Sequence, residues 1–287
     1  MRNQDSTDDD LMPRDPTRVA VIQHSATTDV DKNLTTLALL SREAAAAGAS
    51  LITWPEAFAY LGRHEGKRAL LESLAAPGPI LIFCQDLARE MGTDLLLGGF
   101  HEKVAGDPSR CYNTSVYLDH EGHILATYRK IHLFDVDIPD GPRLMESRHT
   151  APGDQAVVVT GKPGVLGLSI CYDVRFPALY QRLVSLGAMA ITVPSAFTQS
   201  TGAAHWHALL KARAIECQCY IIAPAQYGEH SAHRASYGHS LIVDPWGETL
   251  AEIPDGDGYA IASLDPKRVQ DVRQQIPSLA NQRTFSS

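Results

Sequence analysis

Gly164-Val-Leu-Gly-Leu-Ser-Ile-Cys171-Tyr-Asp-Val-Arg175-Phe-Pro177 joins two kinds of local structure within 14 residues. The apolar run Val165 to Ile170 reads as a buried strand. It ends on a cysteine, and polar residues follow at once. From Val174 to Gly187 the pattern turns helical: Phe176, Leu179, Tyr180, Leu183 and Leu186 share one face. Pro177 suits the first turn, and Gly187 can take the left-handed closing position. Cys171 is therefore expected in a strand-to-helix turn, near N–H groups that favour anions. Such a turn lowers a thiol pKa and can hold a developing oxyanion. The competing reading is a small core residue, the fate of most cysteines.

Working outward, two further apolar runs end on reactive groups. Leu51-Ile-Thr-Trp-Pro55-Glu56 finishes on a carboxylate, and Ile124-Leu-Ala-Thr-Tyr-Arg-Lys130 on a lysine. A nucleophilic thiol needs a base and an oxyanion stabiliser. In open α/β sheets ligands bind beyond the strand ends, so three strands could bring Glu56, Lys130 and Cys171 to one crevice. Taken singly, an exposed Glu or Lys after a strand is usually only solvated.

Strand and helix signals alternate through the chain. Val19 to Ile22, Ser50 to Trp54, Asp94 to Gly98, Thr114 to Leu118 and Ile124 to Tyr128 read as strands in the first half. The Ala-rich stretch Asp31 to Gly48 reads as helix, and Asp119 to Gly122 as a hairpin turn. Residues 131–153 form a long connection without periodicity, the kind of segment that is often functional. The second half resumes with strands at Ala156 to Thr160, Met189 to Val193, Tyr220 to Pro224, Ser236 to Val243 and Tyr259 to Leu264. No repeat or linker interrupts 17–275, so one α/β domain is expected. It is flanked by an acidic tail over 1–16 and a C-terminal tail over 276–287.

Composition sets limits. The chain of 287 residues is 44% apolar and 20% charged, enough to fill a sizeable core. A net charge of −8 argues against a nucleic-acid partner. The opening 16 residues carry five Asp against two Arg and no apolar run, unlike a secretory or transit signal. They read as disordered. No stretch approaches a membrane span. Five cysteines without a CxxC pair fit a reducing cytoplasm better than a disulfide framework.

Trp54-Pro-Glu56-Ala-Phe, Tyr128-Arg-Lys130-Ile-His-Leu-Phe-Asp and Cys171-Tyr-Asp-Val-Arg175-Phe-Pro resemble the three signature segments of the nitrilase, or carbon–nitrogen hydrolase, superfamily. Order and spacing match across nearly all of 17–275. Pro194-Ser-Ala-Phe197, Thr201-Gly-Ala-Ala-His-Trp206, Ala212 to Tyr220 and Arg234 to Ser240 are similar to the deaminated glutathione amidase branch. The resemblance implies a single-domain α/β/β/α four-layer sandwich that pairs with itself, and no cofactor or metal. It implies catalytic roles for Glu56, Lys130 and Cys171, and a second active-site glutamate at Glu146. Lys130 and the Tyr172 backbone N–H would hold the oxyanion. Phe197 and Thr201 would line the substrate pocket, and Arg175 could clamp a carboxylate, although a structural ion pair is an equal reading of that arginine.

The implied reaction is hydrolysis of a small 2-oxo acid amide through a Cys thioester, with deaminated glutathione as substrate and 2-oxoglutarate and Cys-Gly as products. Omega-amidase action on 2-oxoglutaramate is the near rival, followed by a nitrilase or carbamoylase. Outside the class stands a non-catalytic binding protein of the same fold, which would need none of the three reactive residues. Other motifs are weaker. Gly167-Leu-Ser-Ile-Cys171 lacks the last glycine of a GxSxG elbow, which disfavours Ser169 as nucleophile. His205 and His207, two apart on a helix, do not share a face. Cys217 and Cys219 would share a strand face and pack in the core.

Overall fold

The computed structural model describes residues 15–137, 143–231 and 234–284. The acidic opening through Arg14 lies outside the described residues. Two six-stranded sheets carry the fold. The first contains β1 (Thr17–Gln23), β2 (Leu51–Thr53), β3 (Asp94–Lys103), β4 (Cys111–Leu118) and β5 (Ile124–Arg129), with β16 (Gly258–Leu264) returning to its edge. The second contains β8 (Val158–Gly161), β9 (Gly164–Leu168), β10 (Ala190–Thr192), β11 (Tyr220–Ala223), β14 (Ser240–Val243) and β15 (Thr249–Ile253). Two small hairpins pair β6 (Asp135–Asp137) with β7 (Arg143–Met145), and β12 (Tyr227–Ser231) with β13 (Arg234–Tyr237). Each large sheet has three parallel strands at its centre, β1–β2–β3 and β9–β10–β11, flanked by antiparallel ones.

Alternation along the strands explains the layers. Val19, Val21, Leu51 and Leu96 face a core shared with Leu166, Leu168, Ile191 and Ile221 of the second sheet. Their neighbours Ala20, Ile22, Ile52 and Leu95 turn to the opposite side. There they meet α1 (Val30–Ala46) and α3 (Pro79–Met91) through Leu34, Leu37, Leu81 and Cys84. The second sheet is covered by α4 (Pro177–Ser185) and α5 (Gln199–Cys217), whose Leu183, Trp206 and Leu210 enter the shared cluster. The result is a helix–sheet–sheet–helix sandwich. The short α2 (His64–Arg68) and α6 (Pro266–Gln275) complete the helices described.

Three differences from the sequence reading have local causes. Helix does not begin at Val174: a 3-10 turn over Cys171–Arg175 comes first, and α4 starts at Pro177. Proline drives the residue before it out of the helical region, and Phe176 sits at φ −114°, ψ 89°. The expected strand Ser236 to Val243 is two strands, because Gly238 (φ +77°) and His239 (φ +56°) are both left-handed. Cys217 and Cys219 do not share a strand face. Cys217 closes α5, and Gln218 turns the chain at φ +49° before β11 begins.

Candidate active site

The parallel strands deliver the site. β2 ends at Thr53, and Trp54 is fixed behind it by a 2.8 Å hydrogen bond from its indole N–H to Ser41 Oγ on α1. Glu56 follows in a turn laid flat on β3. A Cβ at Gly98 would come within 2.0 Å of the Trp54 carbonyl oxygen, and one at Gly99 within 2.9 Å of the Glu56 Cα. Only glycine permits that approach. Gln226 completes the support, donating to the Glu56 carbonyl at 3.0 Å and accepting from the Ala26 N–H at 2.8 Å.

Cys171 occupies the turn after β9 with φ +48°, an uncommon conformation for a residue with a side chain. Such strain costs on the order of 1–3 kcal/mol and gathers at functional sites. Its N–H donates to the Pro194 carbonyl at 3.0 Å. The turn is clamped by Asp173, which is fully buried. The Asp173 carboxylate accepts from the Ile170 N–H (2.9 Å), the Tyr128 hydroxyl (2.7 Å) and the His132 N–H (3.1 Å), and His132 Nδ1 lies 2.7 Å away. Tyr128 and His132 flank Lys130, so one carboxylate locks the Cys171 turn to the end of β5. Arg213 of α5 adds a bond from Nε to the Val174 carbonyl at 2.8 Å.

The connection 131–153 is not structureless where it is described. The β6–β7 hairpin leads into a 3-10 turn, Glu146–Arg148, which carries Glu146 back to the strand ends. Lys130 Nζ donates to Glu56 Oε1 and to Glu146 Oε2, both at 2.9 Å. Asn113 of β4 donates to Glu56 Oε1 at 2.8 Å and to Glu146 Oε1 at 3.2 Å. Glu146 Oε2 also accepts the Phe134 N–H at 2.7 Å, and Glu56 Oε2 accepts the Ala196 N–H at 2.8 Å. The Cys171 thiol faces Glu56, and each shifts the other's titration. Glu56, Lys130, Glu146 and Cys171 therefore meet, as expected from the sequence. Asn113, Asp173 and Gln226 join them without having been singled out.

Burial disfavours charge on Glu56, but the adjacent Lys130 outweighs it and holds the carboxyl below its ordinary range. Burial likewise opposes charge on Lys130, and Glu146 and Glu56 overcome it, keeping the ammonium protonated. The thiol goes the other way. Burial, reinforced by the Glu56 charge, pushes Cys171 up, which corrects the expectation that the turn lowers it. The resting pair is a neutral thiol against a carboxylate, an arrangement in which Glu56 can take the thiol proton as the sulfur attacks.

Cys171 lies between two cavities. The larger, about 200 Å³, is lined by Glu56, Asn113, Lys130 and Glu146, with Lys67 and Arg234 also on its wall. The smaller, about 20 Å³, is lined by Tyr172, Phe197 and Thr201. Phe134, Cys171 and Ala196 line both. Thr201 Oγ1 lies 2.6 Å from Thr198 Oγ1. Arg175 lines neither cavity: its guanidinium sits 5.1 Å over the Phe197 ring, with Nη2 3.3 Å from His205 Nδ1. His207 points elsewhere, to Glu252 Oε1 at 2.9 Å, an oxygen shared with His239 Nδ1 at 2.7 Å. That trio could hold a metal ion, and so could Asp119, Glu121 and His123, but neither lines the cavities at Cys171. Ser169 is buried, its hydroxyl spent on the Thr192 carbonyl (2.7 Å) and Tyr180 (2.8 Å).

Residues 18–274 match the family model described as carbon-nitrogen hydrolase. A Bos taurus deaminated glutathione amidase is 46% identical over 269 residues, covering 92% of this chain and 81% of that protein. A Synechocystis deaminated glutathione amidase is 43% identical over 266 residues, covering 92% of this chain and 97% of the other. The crystal structure of the Caenorhabditis elegans NitFhit protein is similar with a TM-score of 0.89 at 38% identity. The match covers 95% of this chain and 66% of that one, so this chain spans just under two thirds of that longer protein. With a cysteine, a lysine and two glutamates gathered at the ends of its strands, this chain belongs to the carbon–nitrogen hydrolase family.

Proposed function

We propose that the protein is an amidase that hydrolyses deaminated glutathione to 2-oxoglutarate and Cys-Gly through a thioester on Cys171. The observation that carries this reading is the Glu56 carboxylate, bonded to the Lys130 ammonium and the Ala196 N–H, on the wall of the same cavity as the Cys171 thiol. The substrate follows from the relatives, which are named deaminated glutathione amidases at 43–46% identity.

Glu56 takes the thiol proton as Sγ bonds to the amide carbon. Lys130 Nζ and the Tyr172 N–H, in the first turn after the nucleophile, hold the oxygen that gains charge. Collapse breaks the C–N bond, and Glu56 returns the proton to the departing amine. Glu56 next takes a proton from water as its oxygen adds to the thioester carbon. The second collapse releases the acid and gives the proton back to sulfur. Glu146 orients Lys130, and Asn113 spans both glutamates. Phe197 and Thr201 line the cavity on the Tyr172 side of Cys171, where the 2-oxo acid half would lie, and Arg175 stands against Phe197 outside it.

Parallel assays on deaminated glutathione and 2-oxoglutaramate test the assignment. The expected result is a kcat/KM at least about tenfold higher for deaminated glutathione, the value of roughly one good contact to the dipeptide half. A preference for 2-oxoglutaramate would make the enzyme an omega-amidase instead.

A further inference from the structure

The larger cavity carries positive charge that the catalytic cluster leaves unused. Glu56 and Glu146, the carboxylates on its wall, are both bonded to Lys130. Lys67 on α2 and Arg234 at the start of β13 line the same cavity. Among the described residues neither side chain has an ion-pair or hydrogen-bond partner. His101, also on the wall, is held well below its ordinary range by burial and then by these two cations, so it stays neutral and adds no charge of its own. Two unpaired cations on a cavity wall, in a chain of net charge −8, suit an anionic group of the substrate.

The position of Glu56 fixes which half of the substrate that group belongs to. Glu56 lines the larger cavity and not the smaller. The amine it protonates therefore departs into the larger one, which also has the room for a dipeptide. We propose that Lys67 and Arg234 form a subsite for a carboxylate on the leaving amine, so that the enzyme selects peptide-like amides ending in a free carboxylate. This rests on the deaminated glutathione reading above and adds residues to it. Phe197 and Thr201 then serve one end of the substrate, Lys67 and Arg234 the other.

The test compares deaminated glutathione with its C-terminal glycinamide, in the wild type and in the double variant Lys67→Met, Arg234→Gln. The double variant is expected to lose on the order of 30-fold in kcat/KM on the acid, through KM, as for losing hydrogen bonds to a charged group. On the glycinamide the loss should stay below about threefold, since the charge that the two cations meet is already gone. Comparable losses on both, or none on the acid, would overturn the subsite alone. A folding defect lowers both rates alike and leaves the ratio to decide. A wild type inactive on both compounds would overturn the proposed function, and the subsite with it.

Discussion

At the end of β5 two adjacent cations meet two different sets of carboxylates. Arg129 pairs with Glu102 of β3 through Nε at 2.9 Å and through Nη2, and lies 4.0 Å over the Tyr112 ring, with 45% of its side chain exposed. Lys130 points to the other face, 2% exposed, between Glu56 and Glu146. The Arg129 set is closed. Glu102 spends its oxygens on Arg129 and on the Thr114 hydroxyl, and among the described residues no reactive group bonds to it. The Lys130 set is open, because Glu56 also faces a thiol and a cavity. Strand alternation alone sends neighbouring residues to such different fates. A buried charge cluster does chemistry only where one member keeps a free face toward the substrate.

The comparison breaks hardest at Lys130. Lys130→Met removes the proposed oxyanion donor and leaves the Glu56 and Glu146 carboxylates without their shared cation. Turnover should fall about 1,000-fold, with a melting shift matching a loss of roughly 3–5 kcal/mol. Glu146→Gln keeps the shape and the Glu56 contact but frees Lys130 on one side. A fall in kcat on the order of 30-fold is expected from the lost charge-assisted bond, with KM nearly constant. Asp173→Asn puts an amide among donors, and denaturant unfolding should show a loss of about 1–3 kcal/mol. Activity should drop roughly tenfold, in line with a displaced nucleophile.

Two smaller effects sharpen the contrast. The folded pKa of Glu56 is lowered, so its carboxylate survives acid that protonates an ordinary glutamate. The acid limb of kcat/KM should therefore fall below pH 4.5, the ordinary value. The stability that Glu56 draws from Lys130 is present above that pH and lost as pH drops through the lower folded value. A limb near pH 6 would contradict a resting carboxylate. Arg129→Met should leave kcat within about twofold and cost roughly 1–3 kcal/mol, because it leaves the Glu102 carboxylate, 5% exposed, without its cation.

The strand ends were legible because β-runs and their breakers are local. Pro55 stops one run, Lys130 ends another, and Cys171 sits where apolar residues give way to polar ones. Asn113 was not legible. The apolar strand signal begins at Thr114, whereas pairing with β3 extends the strand back to Cys111. Its partners lie 57 and 33 residues away, a relation no periodicity records. A polar residue one place before a strand that pairs with β5 was the available signal. Asp173 stood in the decisive segment itself, yet its role depends on Tyr128 and His132, which only the packing of the two sheets brings near. The direction of the Cys171 shift was missed for a related reason: the turn is readable, but the depth of burial and the Glu56 charge are not.

The central claim is that Cys171 carries the acyl half of the substrate during turnover. Rapid acid quench during hydrolysis of deaminated glutathione, followed by peptide mass spectrometry, tests it directly. The account predicts that the Cys171 peptide gains the mass of one 2-oxoglutaryl group, and that Cys171→Ala shows neither adduct nor turnover. Steady hydrolysis by Cys171→Ala would contradict it.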